Sequence, residues 1–213
     1  MASPSVSVEE LIRLGESLPL MESFYTIQGE GCNTGKASYF IRLAGCDVGC
    51  VWCDVKDSWD ATKHPVASVE EILKNALQHE SRMAVVTGGE PLMYDLNHLT
   101  KVLHQNKFIN CIETSGAYPL SGEWDWICVS PKKFKAPLSE VLQQAHELKI
   151  IIYNQSDLEW AEKHTALVNS SCKLLLQPEY SKFAIVTPLI VDYVKQNPQW
   201  QISLQTHKFL DIP

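Results

Sequence analysis

Short runs of apolar, often β-branched residues recur along this chain of 213 residues, and most are separated by enough residues for a helix. Seven such runs are predicted to be strands: Tyr39–Leu43, Met83–Thr87, Asn110–Thr114, Trp126–Ser130, Lys149–Tyr153, Lys173–Gln177 and Gln201–Gln205. Because their apolar character is nearly continuous rather than alternating, we expect strands that are buried on both faces, as in a parallel sheet.

Segments with helical period lie between several of these strands. The sequences Ser68–Glu71 and Ser156–Glu159 both have the capping-box pattern, which predicts helices running to about His79 and Val168. Further amphipathic segments are Asp95–Asn106, Leu138–Leu148 and Ser181–Gln196, the last started or kinked by Pro188. The alternation predicts an α/β fold with a mostly parallel sheet, and the units are too few to close an eight-fold barrel. We therefore expect an incomplete, open TIM-like barrel that binds ligands at its carboxyl strand ends.

Length and composition fit one domain, which we expect to consist of an N-terminal extension of about residues 1–20 and a core of residues 21–213. The net charge of −7 argues against a large nucleic-acid surface. No apolar run is long enough to cross a bilayer, and the N-terminus lacks the pattern of a signal peptide. These features predict a cytoplasmic protein with neither a nucleic-acid nor a membrane partner.

Cys46, Cys50 and Cys53 have the spacing C-x3-C-x2-C within a polar, turn-forming loop. Three thiolates can hold three irons of a [4Fe–4S] cube and leave the fourth iron open to a ligand that is not protein, whereas four-cysteine clusters mainly carry electrons. A structural zinc site is the alternative, and it would need a fourth ligand from Cys32 or His64. A disulfide framework is disfavoured because the seven cysteines are an odd number and no signal segment is present.

Polar residues follow several predicted strands at their carboxyl ends. The turn Gly88–Pro91 places two glycines where the backbone can approach a ligand closely and accept hydrogen bonds from an ammonium group. The other ends carry Glu113–Gly116, Ser130–Lys132 and Gln177–Glu179. Arg42 is the one charged residue in an apolar strand, and its partner is either a substrate carboxylate or, on an exposed edge strand, solvent.

The cysteine run followed by Gly-Gly-Glu-Pro resembles the radical S-adenosylmethionine (SAM) superfamily. The resemblance narrows to the 7-carboxy-7-deazaguanine synthase family and extends from about Glu22 to the last residue. The segments that carry it are Thr26–Gly31, Arg42, Ala44–Cys46, Cys50, Trp52–Asp54, Thr87–Pro91, Glu113–Thr114, Ser130–Lys132 and His207–Pro213.

This resemblance implies a radical ring contraction of 6-carboxy-5,6,7,8-tetrahydropterin to 7-carboxy-7-deazaguanine with loss of ammonia, on the route to queuosine. It assigns the [4Fe–4S] cluster to Cys46, Cys50 and Cys53. It assigns the pterin to Ile27, Gln28, Gly29, Arg42, Thr87 and Pro213, and SAM to Gly89, Ser130, Pro131, Lys132, Gln177, Pro178, Glu179 and Tyr180. It also implies a homodimer and an electron donor of the flavodoxin or ferredoxin type.

One position departs from the family pattern. The family usually has Thr, and sometimes Ser, two residues after the third cysteine, where the hydroxyl binds Mg²⁺, but this chain has Val55. Because a valine side chain cannot ligate a hard cation, a backbone carbonyl or a nearby Asp must substitute, or the enzyme needs no Mg²⁺. We expect the Mg²⁺ requirement to be weak or absent.

Two other functions remain open from the residues. A radical SAM activase, which abstracts hydrogen from a glycine of a partner protein, would share the cysteine run and the barrel but have no use for Gln28 and Arg42. A non-catalytic zinc-binding module is the second alternative.

Overall fold

The computed structural model describes residues 6–213. Within them the strands are β1 (Ser17–Ile27), β2 (Ala37–Leu43), β3 (Val66–Ser68), β4 (Met83–Gly88), β5 (Ile109–Thr114), β6 (Trp126–Val129), β7 (Glu147–Ile152), β8 (Lys173–Pro178) and β9 (Trp200–Ile202). The helices are α1 (Val8–Arg13), α2 (Val69–Ala76), α3 (Asn97–Gln105), α4 (Ser139–Leu142), α5 (Ser156–Thr165), α6 (Phe183–Gln196) and α7 (Thr206–Leu210). No helix in this part of the chain is long and apolar enough to span a membrane.

The strands form a sheet in the order β3-β1-β2-β4-β5-β6-β7-β8-β9. The pairs from β2 through β9 are parallel, whereas β1 is antiparallel to both β2 and β3. The sheet is open because β3 and β9 stand at its two edges. The predicted open, mostly parallel α/β sheet is therefore confirmed.

The two faces of the sheet have different packing. Apolar side chains from the strands, such as Ile41 and Val86, pack against helix residues such as Ile72 and Leu99 in the main core, and all four are inaccessible to solvent. Fully burying a side chain of this size stabilises the fold by about 1.5–3 kcal/mol. We call this side of the sheet the helix face.

The opposite side, which we call the inner face, changes from apolar to polar along the strands. Its apolar part consists of Phe40, Met83, Val85 and Cys111, with Phe24 and Trp126 packed beside them. Side chains two residues apart share a face of a strand. Arg42, Thr87 and Glu113 therefore follow Phe40, Val85 and Cys111 on the inner face, towards the carboxyl ends.

The sequence missed two strands. Strands β1 and β3 had no prediction, and β1 includes Thr26 and Ile27, which begin the segment Thr26–Gly31 that carries the family resemblance. Much of β1 is only partly buried, and its pairing with β2 is irregular between Leu20 and Glu22, so its pattern is weak. Residues 17–20, which were expected to belong to an N-terminal extension, lie in β1, and Leu18 is fully buried in the core.

The predicted helix over Leu138–Leu148 is mostly wrong, because only Ser139–Leu142 is helical and β7 already begins at Glu147. After α4 the chain turns, and the His146 N–H donates 2.9 Å to the carbonyl of Ile127 in β6. Pairing with the sheet thus outweighs the helical period of this segment.

The two predicted capping boxes have different outcomes. Ser68 caps α2 by accepting a hydrogen bond of 3.1 Å from the Glu71 N–H. Ser156 does not cap α5, because its hydroxyl donates to the Asn154 side chain and the residue before the helix is Gln155. Helix α6 continues through Pro188 from Phe183, so the proline neither starts nor ends it.

Candidate active site

A cavity of about 300 Å³ lies on the inner face at the carboxyl ends of the parallel strands. Cys46, Cys50 and Cys53 line it. Of the residues assigned to SAM, all but Pro131 line it as well, namely Gly89, Ser130, Lys132, Gln177, Pro178, Glu179 and Tyr180. So do all those assigned to the pterin, namely Ile27, Gln28, Gly29, Arg42, Thr87 and Pro213. Pro131 lies instead in the wall of a neighbouring groove.

The loop that carries the cysteines is attached to the fold at its start. Gly45 has a φ of 102°, and a Cβ there would come within 2.3 Å of the Tyr94 hydroxyl oxygen, so only glycine fits. That hydroxyl donates 2.7 Å to the carbonyl of Ala44. The Gly45 N–H donates 2.6 Å to the carbonyl of Ser58, which ties the two ends of the loop together. The backbone leading into Cys46 is thereby held in one position.

Hydrogen bonds at the protein surface fix the part of the loop that follows Cys46. Asp47 accepts hydrogen bonds of 2.6 Å from the Tyr118 hydroxyl and 2.7 Å from the Lys135 ammonium group. These bonds hold the pKa of Asp47 below its usual value. The loop between the first two cysteines is thus anchored to the segments that follow β5 and β6.

The three cysteines are unpaired and lie close enough to affect one another. Burial raises the pKa of Cys46 and raises the pKa of Cys50 to about 11, with Lys132 opposing the shift at Cys50 and the two neighbouring thiols adding to it. In residues 6–213 no three Cys, His, Asp or Glu side chains converge as ligands of one metal ion. Three soft thiol ligands on a cavity wall fit an iron–sulfur cube, in which each thiolate binds its own iron.

The turn Gly88–Pro91 packs against the cysteine loop. A Cβ on Gly89 would come within 2.2 Å of the Gly45 carbonyl oxygen, and the Glu90 N–H donates 2.9 Å to that same oxygen. A Cβ on Gly88, whose φ is 140°, would come within 2.1 Å of the Leu43 carbonyl oxygen. The two glycines are therefore required for the close approach of this turn to the end of β2 and to the start of the cysteine loop.

Glu90 is 1% exposed and bonds within the protein. Its carboxylate accepts hydrogen bonds from the Thr114 hydroxyl at 2.6 Å, from the Ser115 N–H at 2.8 Å and from the Ser115 hydroxyl. The hydroxyl hydrogens of Thr114 and Ser115 are therefore used inside the protein, and towards a ligand these two hydroxyls can act only as acceptors.

Lys132 lies between the cysteine loop and the strand ends. Its ammonium group donates 2.6 Å to the Ser130 hydroxyl and lies 5.5 Å from the centre of the Trp52 ring. Burial lowers its pKa, and the nearby Cys50 opposes this shift. The lysine is thus positioned to neutralise an anionic group in the cavity.

Arg42 is 20% exposed in its side chain and lies in β2, which is an interior strand, so the edge-strand interpretation is wrong. Its Nε donates 2.7 Å to Glu22, a partner that sequence reasoning missed. Within residues 6–213 its two Nη groups make no hydrogen bond to protein, and the residue lines the cavity. The Nη pair can therefore receive a carboxylate.

The side-chain amide of Gln28 is largely used inside the protein. Its Nε2 donates 2.9 Å to Glu113, and its Oε1 accepts 3.0 Å from the Glu30 N–H. One amide hydrogen and one lone pair remain for a ligand.

Buried Lys149 and partly buried Glu30 line the cavity, and the sequence assigned neither of them a role. Their ion pair measures 2.5 Å, and the Lys149 ammonium group also lies 3.7 Å from Glu113. Burial raises the pKa of Glu30, but Lys149 and several hydrogen bonds outweigh it and bring the pKa down to about 2. Lys149 lies in β7 two residues after Glu147, and it is the first residue of the predicted strand Lys149–Tyr153.

The C-terminal segment covers one side of the cavity. Thr206 donates to the Gly29 carbonyl from its N–H at 2.9 Å and from its hydroxyl at 3.0 Å. The Thr26 hydroxyl donates 3.2 Å to the carbonyl of Pro213. His207 lines the cavity, and burial lowers its pKa. The last residues thus lie beside the segment assigned to the pterin.

Comparison with known proteins agrees with this geometry. Residues 40–129 match the profile of the Radical SAM superfamily. The chain is 55% identical to 7-carboxy-7-deazaguanine synthase of Flavobacterium psychrophilum, over 97% of this chain and 98% of that protein. It is 42% identical to the synthase of Synechocystis, over 96% of this chain and 97% of that protein. The crystal structure of QueE from Escherichia coli superimposes with a TM-score of 0.82 at 32% identity, covering 94% of this chain and 99% of that chain. The chain belongs to the 7-carboxy-7-deazaguanine synthase family of radical SAM enzymes.

Proposed function

We propose that this enzyme converts 6-carboxy-5,6,7,8-tetrahydropterin into 7-carboxy-7-deazaguanine with loss of ammonia, a step towards queuosine. The proposal is supported by the placement of the cysteine loop and of the residues assigned to the pterin around one cavity. The family assignment favours this synthase over the glycyl-radical activase and the zinc module.

Cys46, Cys50 and Cys53 would hold a [4Fe–4S] cluster, with SAM against Gly89 and the strand ends. When bound, these two groups supply the radical that starts the ring contraction. Lys132 and the segments Ser130–Lys132 and Gln177–Tyr180 would orient SAM. The protein contributes binding, orientation and exclusion of water. Because the start of the cysteine loop is fixed, it would hold and orient the cluster.

The polar part of the inner face suits a carboxylated pterin. The Nη groups of Arg42 would bind its carboxylate in a bidentate manner. Gln28 and the carboxylates of Glu30 and Glu113 would accept hydrogen bonds from the amino and ring N–H groups of the heterocycle. The ion pair with Lys149 keeps Glu30 ionised and therefore able only to accept. Pro213 and its neighbours would cover the bound substrate on the side of Gly29.

The test is anaerobic reconstitution with iron and sulfide, followed by an assay of the carboxypterin with SAM and dithionite. The expected result is a brown protein that forms 7-carboxy-7-deazaguanine, whereas the Cys50→Ala variant binds less iron and forms none. A reconstituted brown protein that leaves the carboxypterin unchanged contradicts the synthase assignment, and a colourless protein loaded with zinc supports the zinc module.

We further propose that catalysis depends weakly or not at all on Mg²⁺. Val55 lines the cavity, but its carbonyl already accepts hydrogen bonds from Ser58, at 3.1 Å from the N–H and 2.7 Å from the hydroxyl. Asp54 remains as a nearby oxygen donor, and its carboxylate lies 3.8 Å from the Lys208 ammonium group. Turnover measured with and without a chelator of divalent cations tests this, and a strict Mg²⁺ requirement contradicts it.

The remaining assignments are proposed from the family resemblance. The enzyme is expected to be a cytoplasmic homodimer that receives electrons from a flavodoxin or ferredoxin. An open sheet presents edges that a second subunit can cover, which supports the dimer. Light scattering of the reconstituted protein measures the oligomeric state, and a monomer at micromolar concentration contradicts it.

A further inference from the structure

A second groove lies directly behind the cysteine loop. Trp52, Lys132 and Ile151 line both this groove and the active-site cavity, and so separate the two. The outer wall of the groove includes Val51, Lys133, Phe134, Tyr153 and Trp160. We call it the Trp52 groove.

Three large apolar residues of the Trp52 groove are exposed to solvent. Val51 is 69% exposed, Phe134 45% and Tyr153 38%. Val51 lies between Cys50 and Cys53 in the cysteine loop. The hydrogen bonds that attach this loop to the rest of the fold are made by other residues. An exposed apolar patch with a polar rim marks a surface that meets another molecule.

The charge of the groove is opposite to that of the whole protein. Lys132 and Lys133 line it, and the Lys182 ammonium group lies 5.3 Å from the centre of the Tyr153 ring. Asp157 is the acidic residue in the lining, and it is 5% exposed and bonded to Lys133 and to the Tyr153 N–H. Three lysines against one buried aspartate make the groove cationic on a chain of net charge −7, which favours an acidic partner.

Trp52 connects the groove to the cysteines. It lies between Cys50 and Cys53 in sequence, and its ring meets that of Phe134 edge-on with 6.4 Å between centres. A molecule seated against Val51 and Phe134 would therefore be separated from the cluster ligands by one layer of side chains. Such a short separation favours electron transfer between the carrier and the cluster.

We propose that the Trp52 groove docks an acidic one-electron carrier protein that reduces the cluster. The reduced carrier loses one electron and the oxidised cluster gains it, with no transfer of atoms. The inference rests on the proposed function, since only a redox-active cluster at Cys46, Cys50 and Cys53 needs this electron. Transient electron-transfer complexes bury less than about 1,200 Å², so a small docking surface suffices for such a partner.

The experiment compares a protein donor with a small reductant, using Val51→Glu, Lys182→Glu and the double variant in the reconstituted holoenzyme. Reduced flavodoxin, an acidic flavoprotein, must dock, whereas dithionite need not. With flavodoxin we expect the double variant to form product about 10-fold more slowly than the parent, because like charges then face each other. With dithionite its rate should stay within about twofold of the parent, since no docking is involved.

Matched controls are Val8→Glu, a similarly exposed valine in α1, and Lys101→Glu on α3, and both should behave like the parent with either reductant. Raising the ionic strength should slow the flavodoxin reaction of the parent more than that of the double variant. Because Lys182 lies outside the cysteine loop, Lys182→Glu tests the groove without altering the cluster.

The inference is overturned if the double variant retains its full rate with flavodoxin, or if it loses the same factor with both reductants. A parent that forms no product even with dithionite overturns the proposed function instead, so the two failures are distinguishable.

Discussion

The carboxylate of Glu90 accepts a hydrogen bond of 2.6 Å from the hydroxyl of Thr114, which ties the turn after β4 to the end of β5. The backbone N–H of Glu90 bonds to Gly45 beside the cysteines. Glu90 thus joins three segments that form the cavity wall, and its part in the Gly-Gly-Glu-Pro motif is to position them.

Replacing Glu90 by Ala should destabilise the protein strongly. It leaves the Thr114 hydroxyl, the Ser115 N–H and the Leu92 N–H without their acceptor in a buried site. Each buried donor that is left without its acceptor costs about 1–3 kcal/mol. Urea unfolding of the apoprotein, followed by Trp fluorescence, measures the loss. Glu90→Gln keeps one acceptor oxygen and should lose less, and an Ala variant as stable as the parent contradicts the positioning role.

The Val55→Thr variant should respond to Mg²⁺ more than the parent does. It adds a hydroxyl on the cavity wall without changing the Val55 carbonyl, which stays bonded to Ser58. Oxygen is the ligand atom that Mg²⁺ prefers. We expect turnover of the variant to rise with added Mg²⁺, by about twofold or more, while the parent stays level. Val55→Ala is the matched control, and equal responses of all three proteins contradict the prediction.

The sequence identified much of the fold because the parallel strands are buried on both faces. All five residues of Met83–Thr87 are buried, as are four of the five residues of Tyr39–Leu43, so these apolar runs are continuous. Strand β1 has one partly solvated face and an irregular register, so it left no such run. The end of α4 was not predicted because it depends on a hydrogen bond from His146 to β6, which is distant in sequence. The local hydrophobic period contains no information about such a contact.

The site was predictable where a single residue breaks a pattern. Arg42 interrupts an otherwise apolar strand and was identified for that reason, whereas Lys149 stands at the start of its predicted strand and was not identified. The partners of these cations, Glu22 and Glu30, were not predictable, because the pairs join different strands and loops. That Thr114 and Ser115 bond to Glu90 likewise follows only from the register of β4 against β5.

His104 should make the stability of the protein depend on pH. Hydrogen bonding to Asp125 at 2.8 Å raises the pKa of His104 above its ordinary value of 6.5, although burial opposes the shift. Because the pKa is higher in the folded than in the unfolded protein, protonated His104 stabilises the fold. This contribution is complete below about pH 6.5 and disappears as the pH rises through the pKa of the folded state. The pair is partly exposed, so the expected change is about 0.5 kcal/mol. Urea unfolding from pH 6 to 8.5 measures it, and a His104→Gln variant with the same pH profile as the parent contradicts it.

Arg42 should determine affinity for the carboxylate of the substrate. Arg42→Ala removes the two Nη donors at the cavity wall and leaves Glu22 without its partner. Losing two charge-assisted hydrogen bonds should raise KM for the carboxypterin about 100-fold. Arg42→Lys keeps the charge but not the planar fork, and a rise of about 10-fold is expected.

The Glu22→Gln variant separates this role from a structural one. Glu22 bonds only to Nε and is 47% exposed in its side chain, so its replacement should change KM by less than about threefold. Steady-state assays at saturating SAM with dithionite measure all three variants. If Arg42→Ala binds the carboxypterin as well as the parent does, the assignment of Arg42 to the substrate carboxylate is wrong. If Glu22→Gln weakens binding as much as Arg42→Ala, the arginine acts through its attachment to β1 rather than through its free donors.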